Sequence, residues 1–377
     1  STQSLAWRTK RSTAVSRIMH RHGGNLTHLA RQAGCLPAQV LDFSANINPL
    51  GPPACVAAAL VDAAQWLGHY PDPDCTDFIA AVAEHLDIAP ERIVAGNGAE
   101  QLIWWLPRLL EARRVVLPSP CYLDYRRAAE VWKLPVVTSR LSPEQGFGLD
   151  LQAVLSGLQA GDLVWIGQPN NPTGRLVDRH ALAAAVASRP DVHWAIDEAF
   201  IDFTAETASI VRWDLPNLAV IRSMTKFYAL PALRLGYVVL PPQQASALRR
   251  LLPEWSVNTF AQQLGNAVLR DPARADYAER TRQLVAEERG WLTSALGGLG
   301  AAVTDGRANY LLLRLPDEVP SAATLAGRLL RDAAIAVRPC ANYDGLDDRY
   351  VRVAVRPRDE NQRLVDALRA QLQPSIR

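Results

Sequence analysis

Ser223-Met224-Thr225-Lys226-Phe227-Tyr228-Ala229-Leu230-Pro231-Ala232-Leu233-Arg234-Leu235-Gly236 follows the apolar run Leu218 to Ile221, which reads as a buried strand. The segment therefore delivers two hydroxyls, one amine and one guanidinium at a strand's end. Ser223, Thr225 and Arg234 suit a phosphate dianion, because hydroxyls and a guanidinium hydrogen-bond its oxygens. Lys226 becomes a nucleophile for carbonyls if burial or a neighbouring cation disfavours its ammonium form. A phosphate cup beside an amine suits an aldehyde that carries a phosphate, which is the chemistry of pyridoxal phosphate. A snorkelling lysine near a surface arginine would leave the same string, so the flanking sequence has to decide.

Upstream, a short strand Arg92 to Ala95 runs into Gly96-Asn97-Gly98-Ala99-Glu100, which opens a helix through Ile103-Trp104-Trp105-Leu106. Free amides at such a helix start are a second phosphate element. Strands at Arg114 to Leu117, Pro135 to Ser139, Leu163 to Gly167 and Val192 to Ile196 alternate with helices around Tyr125 to Trp132, Leu151 to Leu158 and Arg179 to Ala187. That rhythm predicts an α/β fold with a mainly parallel sheet covered on both faces. In such sheets ligands lie beyond the carboxyl ends of the strands, and Asn171, Asp197 and Lys226 each fall just after one. Further upstream, an alanine-rich helix is expected from Pro52 to Leu67, with its prolines in the first turn, and another from Thr76 to Leu86. His22-Gly23-Gly24-Asn25 and Asp42-Phe43-Ser44-Ala45-Asn46-Ile47-Asn48-Pro49-Leu50-Gly51 read as ligand-approaching loops or as turns.

Downstream of Gly236 come a strand to Leu240, helical segments to about Arg270 and a long helix from Ala275 to Leu296 that links two lobes. The smaller lobe should hold strands Tyr310 to Leu315, Ala334 to Arg338 and Tyr350 to Val355, with helices near Leu325 and from Asn361 to Leu372.

A chain of 377 residues that is 49% hydrophobic and 21% charged can bury a large core. A net charge of +2 gives no field suited to nucleic acid or a membrane surface, and no apolar run is long enough to span a bilayer. Cys35, Cys55, Cys75, Cys121 and Cys340 contain no Cys-x-x-Cys pair, which argues against a disulfide framework or zinc knuckle and suits a reducing cytoplasm. Ser1 to Met19 carries Arg8, Lys10, Arg11 and Arg17 without an acid and is expected to be a disordered arm, too short for a helix-turn-helix.

Three motifs in order, Pro169-Asn170-Asn171-Pro172-Thr173-Gly174, Asp197-Glu198-Ala199-Phe200 and the Lys226 segment, resemble the fold-type-I pyridoxal phosphate enzymes of aminotransferase classes I and II. With His22 to Asn25, Asp42 to Gly51, Arg338 and Arg352, the chain is more narrowly similar to the branch that decarboxylates threonine phosphate for cobalamin synthesis. Histidinol-phosphate transamination is the alternative. The resemblance implies that Lys226 carries the cofactor and shuttles protons, Asp197 pairs with the pyridine nitrogen, Asn171 bonds the ring oxygen and Tyr122 stacks on the ring. Gly98, Ala99, Ser223, Thr225 and Arg234 would hold the phosphate, and Tyr70 would reach the partner's cofactor across a homodimer interface. His22, Gly23, Asn46, Asn171, Arg338 and Arg352 would bind a small phosphorylated amino acid. It further implies an N-terminal segment over 20–50, a large cofactor-binding domain over 51–285 and a small domain over 286–377. Two departures stand out: Phe200 occupies a place where relatives usually carry tyrosine, and Ala232-Leu233 replaces a common Ala-Gly before Arg234.

Overall fold

A computed structural model describes residues 22–205 and 208–372. The basic arm predicted over Ser1 to Met19 lies outside the described residues. Strands are numbered in chain order: β1 Leu41–Asp42, β2 Ile93–Asn97, β3 Arg114–Ser119, β4 Val136–Arg140, β5 Asp162–Gly167, β6 His193–Asp197, β7 Leu218–Ser223, β8 Leu235–Val239, β9 Ala302–Val303, β10 Tyr310–Arg314, β11 Ile335–Ala336, β12 Arg338–Pro339 and β13 Tyr350–Ala354.

Seven strands form one sheet in the order β2-β8-β7-β6-β5-β3-β4. All neighbours pair in parallel except β8, which is antiparallel to both β2 and β7. The central parallel strands β3, β5, β6 and β7 are largely apolar because both faces are covered, whereas the edge strand β4 is only partly buried. Along β5, Val164 and Ile166 enter one core while Leu163 and Trp165 enter the core on the other face, as the two-residue period of a strand requires. At the end of the sheet, Gly236 lets the start of the helix Gly98–Leu109 close in, since a Cβ there would lie 2.5 Å from the Ala99 amide nitrogen.

The second lobe is a four-stranded antiparallel sheet, β12-β13-β10-β9. The helix Arg274–Gly297 joins the lobes, packing Tyr277 and Val285 into the core beneath the large sheet and Leu292 and Leu296 into the core of the small one. The predicted single strand from Ala334 to Arg338 is in fact two: β11 pairs with β1, and β12 pairs with β13. The helix predicted from Pro52 runs only over Cys55–Ala64, so both prolines precede it. The helix Leu26–Ala33 and the two-residue strands β1 and β9 escaped the sequence reading. The stretch containing β1 is stitched to both small-lobe strands, with Phe43 donating to the Ala336 carbonyl at 2.8 Å and accepting from the Ala354 amide at 2.9 Å. Asn48 then ties the same segment to the lysine loop, its amide donating to the Lys226 carbonyl at 3.0 Å and its side chain to Phe227 O at 2.7 Å.

Candidate active site

The pairing of β6 with β7 sets Asp197 opposite Ile221, so both strands end at one edge and place Asp197 and Lys226 in a single cavity of about 530 Å³. Burial, then the nearby Arg234 and Arg352, push the Lys226 amine down to about 8, from an ordinary value of 10.5. Burial pushes the Asp197 carboxyl up, against the pull of Tyr125 Oη at 2.6 Å, the Ala199 amide at 3.0 Å and the lysine. A buried carboxylate of this kind is stabilised by a cationic hydrogen-bond donor, and a protonated pyridine nitrogen is one. Pyridoxal phosphate therefore fits the residues present: an amine held near neutrality, a buried acid and a phosphate cup.

The Lys226 shift has a direct consequence. In the cofactor-free protein the ammonium is penalised below about pH 8, so the nucleophilic amine accumulates as pH rises through that value. Capture of added pyridoxal phosphate should accelerate from pH 6 to 8 and then level off, as followed by the rise of its visible absorption. An unshifted lysine would give a rate still climbing towards pH 10. The same sign applies to folding, since the penalty on the ammonium fades between about pH 8 and the usual lysine value.

In the cup, the Ser223 and Thr225 hydroxyls lie 2.7 Å apart and line the cavity with Ala99 and Arg234. Gly98 does not offer its amide as expected, because that N–H donates to the Arg234 carbonyl at 2.7 Å. Its part is steric: φ is +73°, and a Cβ would sit 2.7 Å from Arg234 Nη2. Glycine thus lets the guanidinium lie against the helix start.

On the opposite wall, β12 and β13 set Arg338 directly across from Arg352. Arg352 is 6% exposed, donates from Nη1 to Asn171 Oδ1 at 2.6 Å and from Nη2 to the Ser44 carbonyl at 3.0 Å, and pairs with no carboxylate among the described residues. A buried cation in that state is an anion receptor in waiting. Its bond also orients Asn171, leaving Nδ2 as the donor on the cavity side, the polarity needed to meet a phenolate oxygen. Arg338 donates to the Pro339 carbonyl and to Asn342 Oδ1 at 2.9 Å, and lies over the Tyr343 ring. Gly23 again must lack a side chain, since a Cβ would be 2.2 Å from the Ser44 carbonyl oxygen. His22 Nε2 lies 2.8 Å from Asp124 Oδ2, and His22, Gly23 and Asn46 all line the cavity.

Every predicted site residue except Gly98 and Tyr70 lines this cavity. Tyr70 is 79% exposed and stacks on Trp255 at 4.6 Å, so within one chain it does not reach the site. The sequence reading missed Tyr125, Glu100, Asp124 and Tyr343. Tyr122 Oη donates to Glu100 Oε2 at 3.0 Å, and burial followed by the Asp124 charge pushes Glu100 up. Asp124 stays near 2 because the hydrogen bond and charge of His22 outweigh burial. Tyr125 recurs three residues after Tyr122, a helical spacing that puts the two on one face; its reach to Asp197 has no sequence signal. Phe200 lines the cavity edge-on to Tyr310 at 5.0 Å and offers no hydroxyl to it.

The family model described as aminotransferase class I and II matches residues 38–368. A threonine-phosphate decarboxylase of Salmonella typhimurium is 40% identical over 356 residues, spanning 92% of this chain and 95% of that protein. The adenosylcobalamin biosynthesis bifunctional protein CobDQ of Leptospira interrogans is 35% identical over 92% of this chain, which spans only 40% of that protein's length. Among solved structures, the histidinol-phosphate aminotransferase of Clostridium acetobutylicum superposes with a TM-score of 0.82 at 30% identity, over 88% of this chain and 99% of that one.

Proposed function

Because the chain belongs to the aminotransferase class I and II family, we propose that it is a pyridoxal phosphate enzyme that decarboxylates L-threonine O-3-phosphate to (R)-1-amino-2-propanol O-2-phosphate in cobalamin synthesis. The observation that carries this choice is the Arg338 and Arg352 pair, two guanidiniums side by side in one wall. A substrate with a carboxylate and a phosphate matches two cationic forks, whereas histidinol phosphate offers only the phosphate.

When bound, pyridoxal phosphate supplies an electron sink that accepts the pair released as a bond to the amino acid's Cα breaks. The chain's own residues decide which bond that is. Lys226 holds the cofactor until substrate arrives, then carries a proton on Nζ; Asp197, steadied by Tyr125, keeps a proton on the pyridine nitrogen. Asn171 would donate to the cofactor's ring oxygen, Tyr122 would pack against its ring, and Ala99, Ser223, Thr225 and Arg234 would hold its phosphate. Arg352 and Arg338, with His22, Gly23 and Asn46, would hold the substrate's two anionic groups and so select the Cα–carboxylate bond for cleavage. Carbon dioxide leaves, and Lys226 delivers its proton to Cα. Competition between substrates tests the choice: kcat/KM for threonine phosphate should exceed that for histidinol phosphate with 2-oxoglutarate by roughly 10²-fold, the worth of one buried ionic fork. The reverse order would favour the aminotransferase.

We place the boundary between the lobes near residue 285, within the long helix, and the enzyme in a reducing cytoplasm, a setting that suits five free thiols. We also read it as a homodimer. Leu60, Val61, Trp66, Leu67 and Tyr70 form an exposed apolar face, which supports burial against a second copy. Tyr70 from one protomer would then complete the other's phosphate cup. Tyr70→Phe should weaken cofactor retention several-fold on dilution dialysis while the dimer persists; unchanged retention, or an active monomer, would exclude the contact.

A further inference from the structure

A second cavity, of about 170 Å³, lies behind the catalytic edge and shares no lining residue with the first. Its walls are the turn Ile201–Phe203, which follows Asp197, and Phe227 with Tyr228, which follow Lys226. Its charge is one-sided. The floor is Arg222, 5% exposed and fully engaged: Nε meets Glu198 at 2.8 Å, Nη1 meets Asp202 at 3.1 Å and Nη2 donates to Ser209 Oγ at 3.0 Å. In that floor two carboxylates face one guanidinium, and above it Arg179, Arg212, Arg274 and Arg282 line the cavity. Among the described residues neither Arg179 nor Arg274 pairs with a carboxylate. Arg179 lies over the Trp213 ring at 5.5 Å and donates from Nε to His180 Nε2 at 3.3 Å, Arg274 hydrogen-bonds Tyr228, and Arg282 meets Glu279 at 3.6 Å and the Asp202 carbonyl at 3.5 Å.

These guanidiniums outnumber the carboxylates at the cavity, Asp202 in its lining and Glu279 beside Arg282, and cations in excess repel one another unless an anion sits between them. The volume admits a small oxyanion, and planar forks from two helices, Arg179 on one and Arg274 with Arg282 on the other, suit a tetrahedral one with several acceptor oxygens. We propose that this cavity is a second anion site that binds a small phosphate-type anion, free or as a monoester, apart from the cofactor and substrate sites. Its walls are continuous in sequence with Asp197 and Lys226, so an occupant would brace both catalytic residues from behind.

The test uses cofactor-loaded enzyme carrying Arg352→Ala, in which the cup is filled and the substrate cleft is weakened. This protein is titrated calorimetrically with inorganic phosphate and, separately, with glycerol 3-phosphate in low-chloride buffer. At least one should bind, and adding Arg179→Gln with Arg274→Gln should weaken it by about tenfold or more, as loss of two charge-assisted contacts demands. Which ligand binds more tightly distinguishes the free anion from an ester. Arg179→Gln alone, at the half-buried start of the helix Arg179–Ser188, should give an intermediate loss and guards against misfolding of the double substitution. Equal affinity with and without these arginines, or no binding of either ligand to the Arg352→Ala protein, would overturn the proposal.

Discussion

Lys226→Ala should yield a folded protein that holds pyridoxal phosphate without covalent attachment and turns over on the order of 10⁴-fold more slowly, because nucleophile and proton carrier go together. The phosphate cup is built from other residues, Ser223 and Thr225 at 2.7 Å and Arg234 against Gly98, so weak non-covalent binding should survive. Removing the amine also removes an ammonium that burial and two arginines penalise, so the cofactor-free variant should lose no stability at pH 7 on electrostatic grounds. Borohydride reduction followed by peptide mapping reads the result. Cofactor fixed to the wild type at Lys226 and absent from the variant fits; a reducible visible band persisting in the variant would mean another lysine does this work.

Arg352→Ala should lower kcat/KM for threonine phosphate by roughly 10²- to 10³-fold, the cost of truncating one side of a buried charge pair. Cofactor affinity should move far less, since Arg352 touches Asn171, Tyr343 and Ser44 and not the phosphate cup. The split between kinetic loss and retained cofactor separates this role from a structural one. Arg352→Lys should recover only part, because an ammonium cannot hold Asn171 Oδ1 and a carboxylate in the same planar fork. If the Ala variant loses cofactor as readily as activity, Arg352 serves the fold and not the substrate.

Much of this arrangement was legible because the large sheet writes itself as apolar runs that stop at polar residues. β5, β6 and β7 are buried along their length, and Asp197 and Ser223 end two of them. Strand ends then placed Asn171, Asp197 and Lys226 together before any contact was known. The helix Leu26–Ala33 was missed for a different reason: Leu26, Leu29, Ala30 and Ala33 do fall at helical spacing, but the stripe lasts only eight residues, too short to stand out from a loop. β1 has two residues, and its identity depends on β11, far away in the chain. The stretch Ala334 to Arg338 reads as one strand because its residues are uniformly buried, yet Val337 separates β11 from β12 in different sheets. Gly98 shows the limit of motif reading. A glycine at a helix start suggests an amide offered to phosphate, but the amide is taken by the Arg234 carbonyl and the missing side chain is what matters. Glu100 and Tyr125 escaped notice because their roles rest on Tyr122 and Asp197, contacts that cross between elements.

Decarboxylation requires that the clamp around Arg338 and Arg352 present the substrate's carboxylate for cleavage. The most direct measurement is carbon dioxide release from L-threonine O-3-phosphate labelled at its carboxyl carbon, with no oxoacid present. One labelled carbon dioxide per molecule of aminopropanol phosphate, over many turnovers, is the predicted result. No labelled gas, together with formation of glutamate from histidinol phosphate and 2-oxoglutarate, would contradict it.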